Sequence, residues 1–490
     1  MFRAGIGIFF AATLGAAAAQ AAPAQDAKAV LSAATKAMGA DGLTSIKMWG
    51  SGANYGIGQS NHANGPWPRT NLNDYVRAID FTQPASRATG VTVAIAVTGG
   101  AAVSTPYNQT ITPATASWGQ QLEIWTTPWG FLKGAEQNHA TAATQTMNGK
   151  TYRVVTWMTP MKAPSGVPYK VVGYIGAKNL VERVDTWVEN PIFGDLRVEN
   201  YYTDYRDGAN GLKFPSTIVQ KRDGQATFDA QILGVQANPD NLAGLLTQPP
   251  RAGGGPPGGP PGGAAAGPAS EKLADGVYRL KGAYNALAVE FSNYVVLFEP
   301  GPQNEARAQA IIAETKRLIP GKPIRYGVIS HHHFDHTSGL PAVVAEGITI
   351  VAHQDNADFI RRALSQPRTL APDSMSKSGK KPVVEAIVGD KRVFTDGTRT
   401  FEIHRIKGLP HADGLVVGWL PKEKILVYAD MFNLPTAAEP VPNPPVYGTK
   451  VFVDNLERLK IEPDKIMSIH SLNPDRLATM QDIRGSMGRK

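Results

Sequence analysis

The sequence predicts an α+β protein with two structured regions. A mainly antiparallel β region is followed by a region in which strands and helices alternate. Regularly spaced β-rich segments, separated by turn residues, fill much of the first half, and strand-like and helix-like segments alternate in the second half. A glycine- and proline-rich stretch separates the halves, so the predicted domains span residues 22–248 and 271–490.

The first 21 residues have the pattern of a secretory signal peptide. Arg3 supplies the positive charge, residues 6–14 form a short apolar core, and Ala19-Gln20-Ala21 is a cleavage site. No other stretch approaches the roughly 18–20 apolar residues that a membrane-spanning helix needs. We therefore expect an exported protein, periplasmic or secreted, with no integral membrane segment after the signal peptide is removed.

The composition excludes several classes of function. The chain has no cysteine, which rules out thiolate nucleophiles and cysteine metal sites. A net charge of +8 is modest for 490 residues, and no dense run of lysine and arginine with interleaved aromatics occurs. Nucleic acid is therefore not an expected partner. Oligomeric state is not predicted by any feature of the sequence.

Residues 22–248 are predicted to begin with a helix from Ala27 to Met38, which Gly39 ends. Turn residues separate the β-rich segments that follow, at 152–157, 169–174, 180–188, 196–205, 213–221 and 226–235. This spacing predicts an antiparallel meander, either a curved sheet or a half-barrel. Seven of the eight tryptophans lie in this region. We expect them to fill the core face of the sheet rather than to line a ligand groove.

Residues 249–270 are predicted to be a linker. Of these 22 residues, 8 are glycine, 7 are proline and 5 are alanine. Such a composition cannot build a hydrophobic core.

From residue 271 onward, strands and helices alternate. The strand-like segments are 276–280, 286–291, 294–298, 324–330 and 348–352. Residues 304–318 have the pattern of an amphipathic helix with Asn304 as a candidate N-cap, and a second helix is predicted over 340–346.

The predicted strand Ile324–Ser330 ends in a cluster of metal-binding residue types. Residues 331–336 contain four of the ten histidines of the chain and one aspartate. Neutral imidazole and carboxylate suit zinc, and also iron or manganese. Alternate side chains at the end of a strand point to opposite sides. His331 and His333 are thus placed to reach one metal, and Asp335 and His336 to reach another.

The HxHxDH pattern of residues 331–336 resembles the signature of the metallo-β-lactamase superfamily. Three later segments resemble the remaining motifs of that family in the same order: Gly408 to His411, Val427 to Asp430 and Ile466 to His470. The resemblance covers residues 272–490. It implies the αββα sandwich of the family, with metals at one edge of the paired sheets.

The resemblance also implies a dinuclear metal centre with seven ligands. It assigns the first metal to His331, His333 and His411, the second metal to Asp335, His336 and His470, and the bridge between them to Asp430. Two Zn²⁺ per chain are expected, and Fe or Mn also suits these ligands. The family pattern assigns no metal to His332, His353 or His404. Glu299 stands at a supporting position where the family commonly has aspartate.

The function that the resemblance implies is that of an exported dinuclear zinc metallohydrolase. A metal-bound hydroxide would attack an ester, lactone, thioester or amide carbonyl of a small-molecule substrate. Asp335 is the candidate catalytic residue that orients the nucleophile or moves a proton. Asp430 stands where one large group of lactamases has cysteine. In this respect the chain resembles the glyoxalase II and lactonase branches of the family. Asn433 stands where some lactamases carry a lysine that clamps the substrate carboxylate, so efficient activity of that kind is not expected.

Two other functions stay open at this point. One is an iron-dependent redox member of the same fold, which these ligands permit. The other is a non-catalytic periplasmic protein whose N-terminal sheet binds a ligand while the metal is structural. Ligand residue types at all seven positions argue against the second alternative.

Overall fold

The computed structural model describes residues 24–94, 102–113, 116–247, 269–434 and 445–488. The predicted signal peptide and residues 249–268 of the predicted linker lie outside this range, so both stay predictions. The predicted domain boundaries stay predictions as well. Among the described helices, none is both long and apolar enough to cross a membrane.

The first part of the chain forms one open sheet of 12 strands in the order β1-β6-β7-β8-β9-β10-β11-β12-β2-β3-β4-β5. The strands are β1 Ala24–Gln25, β2 Ser45–Tyr55, β3 Arg69–Asp80, β4 Ala85–Ala94, β5 Val103–Ile111, β6 Thr141–Met147, β7 Lys150–Lys162, β8 Pro168–Ile175, β9 Val181–Asn190, β10 Gly194–Asp207, β11 Lys213–Arg222 and β12 Gln225–Ala237. All neighbours are antiparallel. The predicted mainly antiparallel β fold is confirmed.

The helices of this part are α1 Ala27–Ala37, α2 Trp118–Trp125, α3 Pro128–Gln137 and α4 Leu242–Leu246. Helix α2 contacts both β4 and β9, which are far apart in the sheet, so the sheet curves around the helices. Trp67, Trp118, Trp129 and Trp157 are buried, as expected of core tryptophans, whereas the expectation is wrong for Trp49, which is 38% exposed on β2. The sequence analysis missed α2 and α3. They are separated where Thr127 caps α3 and Pro128 occupies its first turn.

The second part contains two sheets. Strands β13 Ser270–Ala274, β14 Val277–Leu280, β15 Ala286–Glu290, β16 Val295–Phe298, β17 Ile324–Val328, β18 Thr349–His353 and β19 Val384–Ile387 form a sheet in chain order. Strands β20 Lys391–Thr395, β21 Thr400–Arg405, β22 Val416–Leu420, β23 Ile425–Tyr428 and β24 Lys465–Ser468 form the second, also in chain order. The helices are α5 Glu305–Leu318, α6 Phe334–Thr337, α7 Leu340–Glu346, α8 Gln354–Leu364, α9 Ser374–Ser378, α10 Tyr447–Leu459 and α11 Met480–Ser486.

Successive side chains of a strand point to opposite faces of its sheet. Strands such as β16 and β23 are buried at every position, so the sheets bury both faces. Val296 of the first sheet and Val427 of the second belong to one core between the sheets. The outer face of the first sheet packs with α5, α7 and α8. The outer face of the second packs with α10 and α11. This arrangement is the αββα sandwich that the sequence predicted.

Several connections of the N-terminal sheet lie against the second part of the chain. At the start of β10, beside the β9–β10 turn, Asp195 accepts hydrogen bonds from the backbone amides of Thr369 and Leu370, both at 2.9 Å. Arg368 donates to the carbonyls of Pro191 (3.0 Å) and Ile192 (2.6 Å). Asp223 of the β11–β12 turn accepts from Arg362, and the β2–β3 connection, residues 56–68, contacts the cluster of histidines described below. The two parts are therefore held together by specific polar contacts.

Candidate metal centre

The predicted ligands all follow the carboxyl ends of strands or lie in loops at the same edge of the two sheets. The 331–336 segment follows β17, Asp430 follows β23, His470 follows β24, and His411 lies between β21 and β22. The amide of Val416 in the second sheet donates to the Ser330 carbonyl of the first at 2.9 Å, which joins the sheets beside the cluster. Four segments distant in sequence are thereby brought to one place.

The structure brings all seven predicted ligands together in overlapping groups. The groups are His331, His333 and His411; His331, His336 and Asp430; and Asp335, His336 and His470. Within each group the candidate ligand atoms lie within 4.8 Å of one another.

Asp430 lies between the first and third groups. Its Oδ2 lies 3.5 Å from His331 Nε2 and 3.0 Å from His336 Nε2, and its Oδ1 lies 2.8 Å from His470 Nε2. One carboxylate therefore faces both halves of the cluster. Its backbone has φ +58°, a left-handed conformation that non-glycine residues adopt at an energetic cost.

Four buried atoms in the cluster have no hydrogen-bond partner: His331 Nε2, His333 Nδ1, His411 Nε2 and Asp430 Oδ2. Buried polar atoms without partners are costly and rare in folded proteins. The other ring nitrogens of two of these histidines are occupied. His331 Nδ1 lies 3.0 Å from Ser330 Oγ, and His333 Nε2 lies 3.0 Å from the Ser60 carbonyl. The three ring nitrogens belong to one potential metal group, and Asp430 Oδ2 lies 3.5 Å from His331 Nε2, so a divalent cation would satisfy these atoms and the residues fit a metal.

The three imidazoles of the first group are held neutral, as metal ligands must be. Burial lowers the pKa of His331 well below its usual value, and neighbouring His336 and His333 lower it further. Burial and His411 lower the pKa of His333 to about 3. Burial also lowers the pKa of His411. Each of these rings therefore presents a free lone pair at neutral pH.

The second half of the cluster is rich in negative charge. Burial disfavours a charged His336, but Glu299, Asp335 and Asp430 together raise its pKa well above the usual value. Burial would likewise raise the pKa of Asp430, but the adjacent rings of His336 and His470 hold it far below its ordinary range. Three carboxylates surround one imidazole, so this half also favours a cation.

The other histidines near the site have different partners. His332 Nε2 lies 2.8 Å from the Ser60 carbonyl, and its ring packs against Phe359. His353 Nε2 lies 3.0 Å from the Gly389 carbonyl, and His404 Nε2 lies 2.8 Å from Glu402. None of these three joins a potential metal group among the described residues. Their placement agrees with the structural roles expected for them.

Three residues at the cluster were missed by the sequence analysis. The Tyr284 hydroxyl donates to Asp335 Oδ2 at 2.9 Å, and Gln59 Nε2 donates to Asp335 Oδ1 at 2.9 Å. Ser60 supplies the carbonyl that faces His332 and His333. Gln59 and Ser60 lie more than 270 positions before their partners. No local pattern marks such a contact.

A cavity of about 840 Å³ opens beside the cluster. His333, His411, Asp430 and His470 lie at one side of it. Its other walls are largely apolar and include Leu409, Pro410, Met431, Phe432, Leu434 and Val446. Asn433 also lines it, and no lysine or arginine is found among its described lining residues.

Comparison with known proteins agrees with this geometry. The sequence model of the metallo-beta-lactamase superfamily matches residues 280–463. The DIM-1 metallo-beta-lactamase is 17% identical in sequence, and the alignment covers 45% of this chain and 95% of that one with a TM-score of 0.33. A metallo-beta-lactamase from Pontibacter korlensis is 16% identical, and the alignment covers 45% of this chain and 97% of that one with a TM-score of 0.33. Rubredoxin oxygen:oxidoreductase from Desulfovibrio gigas is 19% identical, and the alignment covers 45% of this chain and 61% of that one with a TM-score of 0.32.

No curated protein matched the chain. The superfamily match begins in β14 and ends before β24, so it covers most of the two-sheet part and contains the HxHxDH segment, His411 and Asp430. The C-terminal part of this chain is therefore a metallo-β-lactamase superfamily domain, with the fold of a metal-dependent hydrolase.

Proposed function

We propose that the protein is an exported dinuclear zinc hydrolase that cleaves an ester, lactone, thioester or amide bond in a small molecule. The observation that carries the proposal is the set of four buried, unpartnered ligand atoms that converge at the edge of the sandwich. Nitrogen and carboxylate oxygen in this combination are the donors that zinc prefers in catalytic sites.

On this proposal, each half of the cluster holds one ion. His331, His333 and His411 would hold the first ion through Nε2, Nδ1 and Nε2, the atoms that lack other partners. Asp335, His336 and His470 would hold the second. Asp430 would be shared by both halves, because its carboxylate lies near His331 and also near His336 and His470.

When bound, the two ions supply an activated water near neutral pH and polarise the substrate carbonyl. The protein contributes orientation and proton handling. Asp335 is held at both oxygens, by Gln59 and by Tyr284, so the orientation of its carboxylate is fixed and it would serve to orient the nucleophile or move a proton. Burial and Asp335 raise the pKa of the Tyr284 hydroxyl, so Tyr284 stays protonated and remains a donor.

The cavity indicates the substrate class. Because much of its lining apart from the metal ligands is apolar, it favours a substrate with an apolar group attached to the scissile carbonyl. Since no lysine or arginine lines the described part of the cavity, no side chain there would form an ion pair with a substrate carboxylate. A neutral ester, lactone or thioester therefore fits better than an anionic β-lactam.

Elemental analysis of the full chain, purified without added metal, is the first test. About two zinc ions per chain are expected, with a lower content in the His336→Ala and Asp430→Ala variants and no change in His404→Ala, a histidine outside the cluster. Iron instead of zinc would move the assignment to redox chemistry. A protein that holds no metal and takes up neither zinc nor iron would exclude both.

A substrate screen follows from the cavity. Neutral esters, lactones and thioesters with apolar acyl groups are expected to be hydrolysed faster than carboxylate-bearing β-lactams. The proposed export is tested separately by N-terminal sequencing of protein recovered from the periplasm. Cleavage after Ala21 is expected, and an intact N-terminus would contradict it.

A further inference from the structure

The β2–β3 connection of the N-terminal sheet, residues 56–68, reaches the metal cluster from the other part of the chain. The amide of Phe334, inside the HxHxDH segment, donates to the Gly58 carbonyl at 3.3 Å. The amide of Asp413, two residues after His411, donates to the Asn61 carbonyl at 2.7 Å. This site loop, as we call residues 56–68, therefore holds two of the segments that carry predicted ligands.

Within the site loop, Ser60 determines which nitrogen of His333 is free. A carbonyl oxygen only accepts hydrogen bonds, so His333 Nε2, 3.0 Å from the Ser60 carbonyl, must carry the proton. In the neutral ring this leaves the lone pair on Nδ1, which is the buried atom without a partner. Hydrogen bonds of this kind fix the tautomer and orientation of metal-binding histidines.

Gln59 acts on the other half of the cluster. Its side-chain amide donates to Asp335 Oδ1 at 2.9 Å, while Tyr284 occupies Oδ2 from the opposite side. The Asp335 carboxylate is thus oriented by one residue from each part of the chain. Gln59, Asn61 and Pro68 also line the 840 Å³ cavity together with His333 and His411.

We propose that the N-terminal domain is a structural component of the metal site, with Ser60 and Gln59 as positioning residues and the site loop as one wall of the substrate cavity. This inference rests on the proposed dinuclear hydrolase. It assigns the N-terminal domain a role in metal affinity and in substrate selection, within one cleft shared by both parts of the chain.

Gly58 offers a way to displace the loop. Its φ is +78°, and a Cβ atom built on it would lie 2.2 Å from Cγ of Phe334, well inside contact distance. Gly149, in the β6–β7 turn, has φ +77° and nothing within 4 Å of such a Cβ. Gly149→Ala therefore carries the same backbone cost as Gly58→Ala without the clash and is the matched control.

The measurement is zinc affinity of the full chain by competition with a chromophoric chelator. Losing an outer partner of a metal ligand weakens binding about 10- to 100-fold. Gly58→Ala is expected to show this loss and Gly149→Ala is not. Gln59→Met, which keeps the length of the side chain but removes the donor, is expected to weaken only the second ion, with the exposed Gln145→Met as its control.

The outcomes separate the two proposals. If the wild type binds no metal, the proposed function fails. If the wild type binds two zinc ions and both Gly58→Ala and Gln59→Met bind them equally well, the role of the site loop is refuted while the hydrolase stands. Equal losses in Gly58→Ala and Gly149→Ala would also refute it, because backbone strain alone would explain them. Should Gly58→Ala fail to fold, the Gln59→Met result decides.

Discussion

Replacing Arg368 with methionine tests whether the two parts of the chain are locked together. The Arg368 side chain is 3% exposed, and its guanidinium donates to two carbonyls of the β9–β10 turn and, at 2.7 Å, to the Asp373 carboxylate. Methionine fills a similar volume but donates nothing. Both carbonyls and a carboxylate that is only 10% exposed would then lose their donor.

The magnitude follows from burial. Removing one partner of a buried ion pair costs about 3–5 kcal/mol, because the other charge stays buried without compensation. Arg361→Met is the control on the neighbouring helix, since Arg361 is 44% exposed and its partner Asp358 is 87% exposed. An exposed pair of this kind contributes about 0–1 kcal/mol.

Urea unfolding, followed by tryptophan fluorescence and by circular dichroism, measures the change. The wild type should unfold in one transition, and Arg368→Met should either lose about 3–5 kcal/mol or show separate transitions for the two parts. Adding Asp373→Asn should recover part of the loss, because the asparagine keeps the cap to the Ser376 amide while removing the unpaired charge. A loss no larger than that of Arg361→Met would refute the reasoning.

Three further predictions concern the metal cluster and the C-terminus. Removal of bound metal by a chelator should lower the midpoint of thermal unfolding, since a ligand at about 1,000 times its Kd contributes about 4 kcal/mol to stability. Calorimetry with and without EDTA measures this midpoint. An unchanged midpoint would argue against a resident metal. Glu299 is buried 3.4 Å from His336 Nδ1, so Glu299→Gln should weaken the second zinc about 10- to 100-fold in chelator competition, while exposed Glu346→Gln should not. Hydrogen bonds from Arg476 lower the pKa of Asp482 to about 2 from 3.8. The stability that the ionised Asp482 adds to the folded protein is therefore complete above pH 3.8 and lost as the pH falls towards 2. Urea unfolding should then show that the difference in unfolding free energy between the wild type and Asp482→Asn becomes smaller between these two pH values.

The sequence predicted best what is encoded locally. The helix α5 begins where Asn304 suggested, because the Asn304 side chain accepts from the Arg307 amide. The strand before the HxHxDH segment ends two residues earlier than expected, at Val328, because the backbone turns into the loop that presents His331. The candidate ligands met in one cluster because each motif follows a strand whose carboxyl end lies at the same edge.

The missed elements depend on contacts that are distant in the chain. Helices α2 and α3 were hidden because their tryptophans and phenylalanine match a strand pattern as well as a helix pattern. Trp157 lies against Gly134 in α3 so closely that a side chain there would meet the indole ring at 2.4 Å. Tyr284 and Gln59 approach Asp335 from 51 and 276 positions away. Such pairings depend on the packing of whole domains and leave no local pattern in the sequence that would predict them.

On the proposed function, the contacts of the site loop also link metal binding to domain docking. If docking of residues 56–68 orients His333 and Asp335, the docked state binds metal more tightly than an undocked one. Linkage requires the reverse with the same free energy, so bound metal must hold the N-terminal domain more firmly in place. Because a covalent linker keeps the parts at about millimolar effective concentration, small polar contacts such as those of Asp195 and Arg368 suffice to keep the cleft closed. The N-terminal domain is then the part of the enzyme through which substrate access and metal retention are coupled.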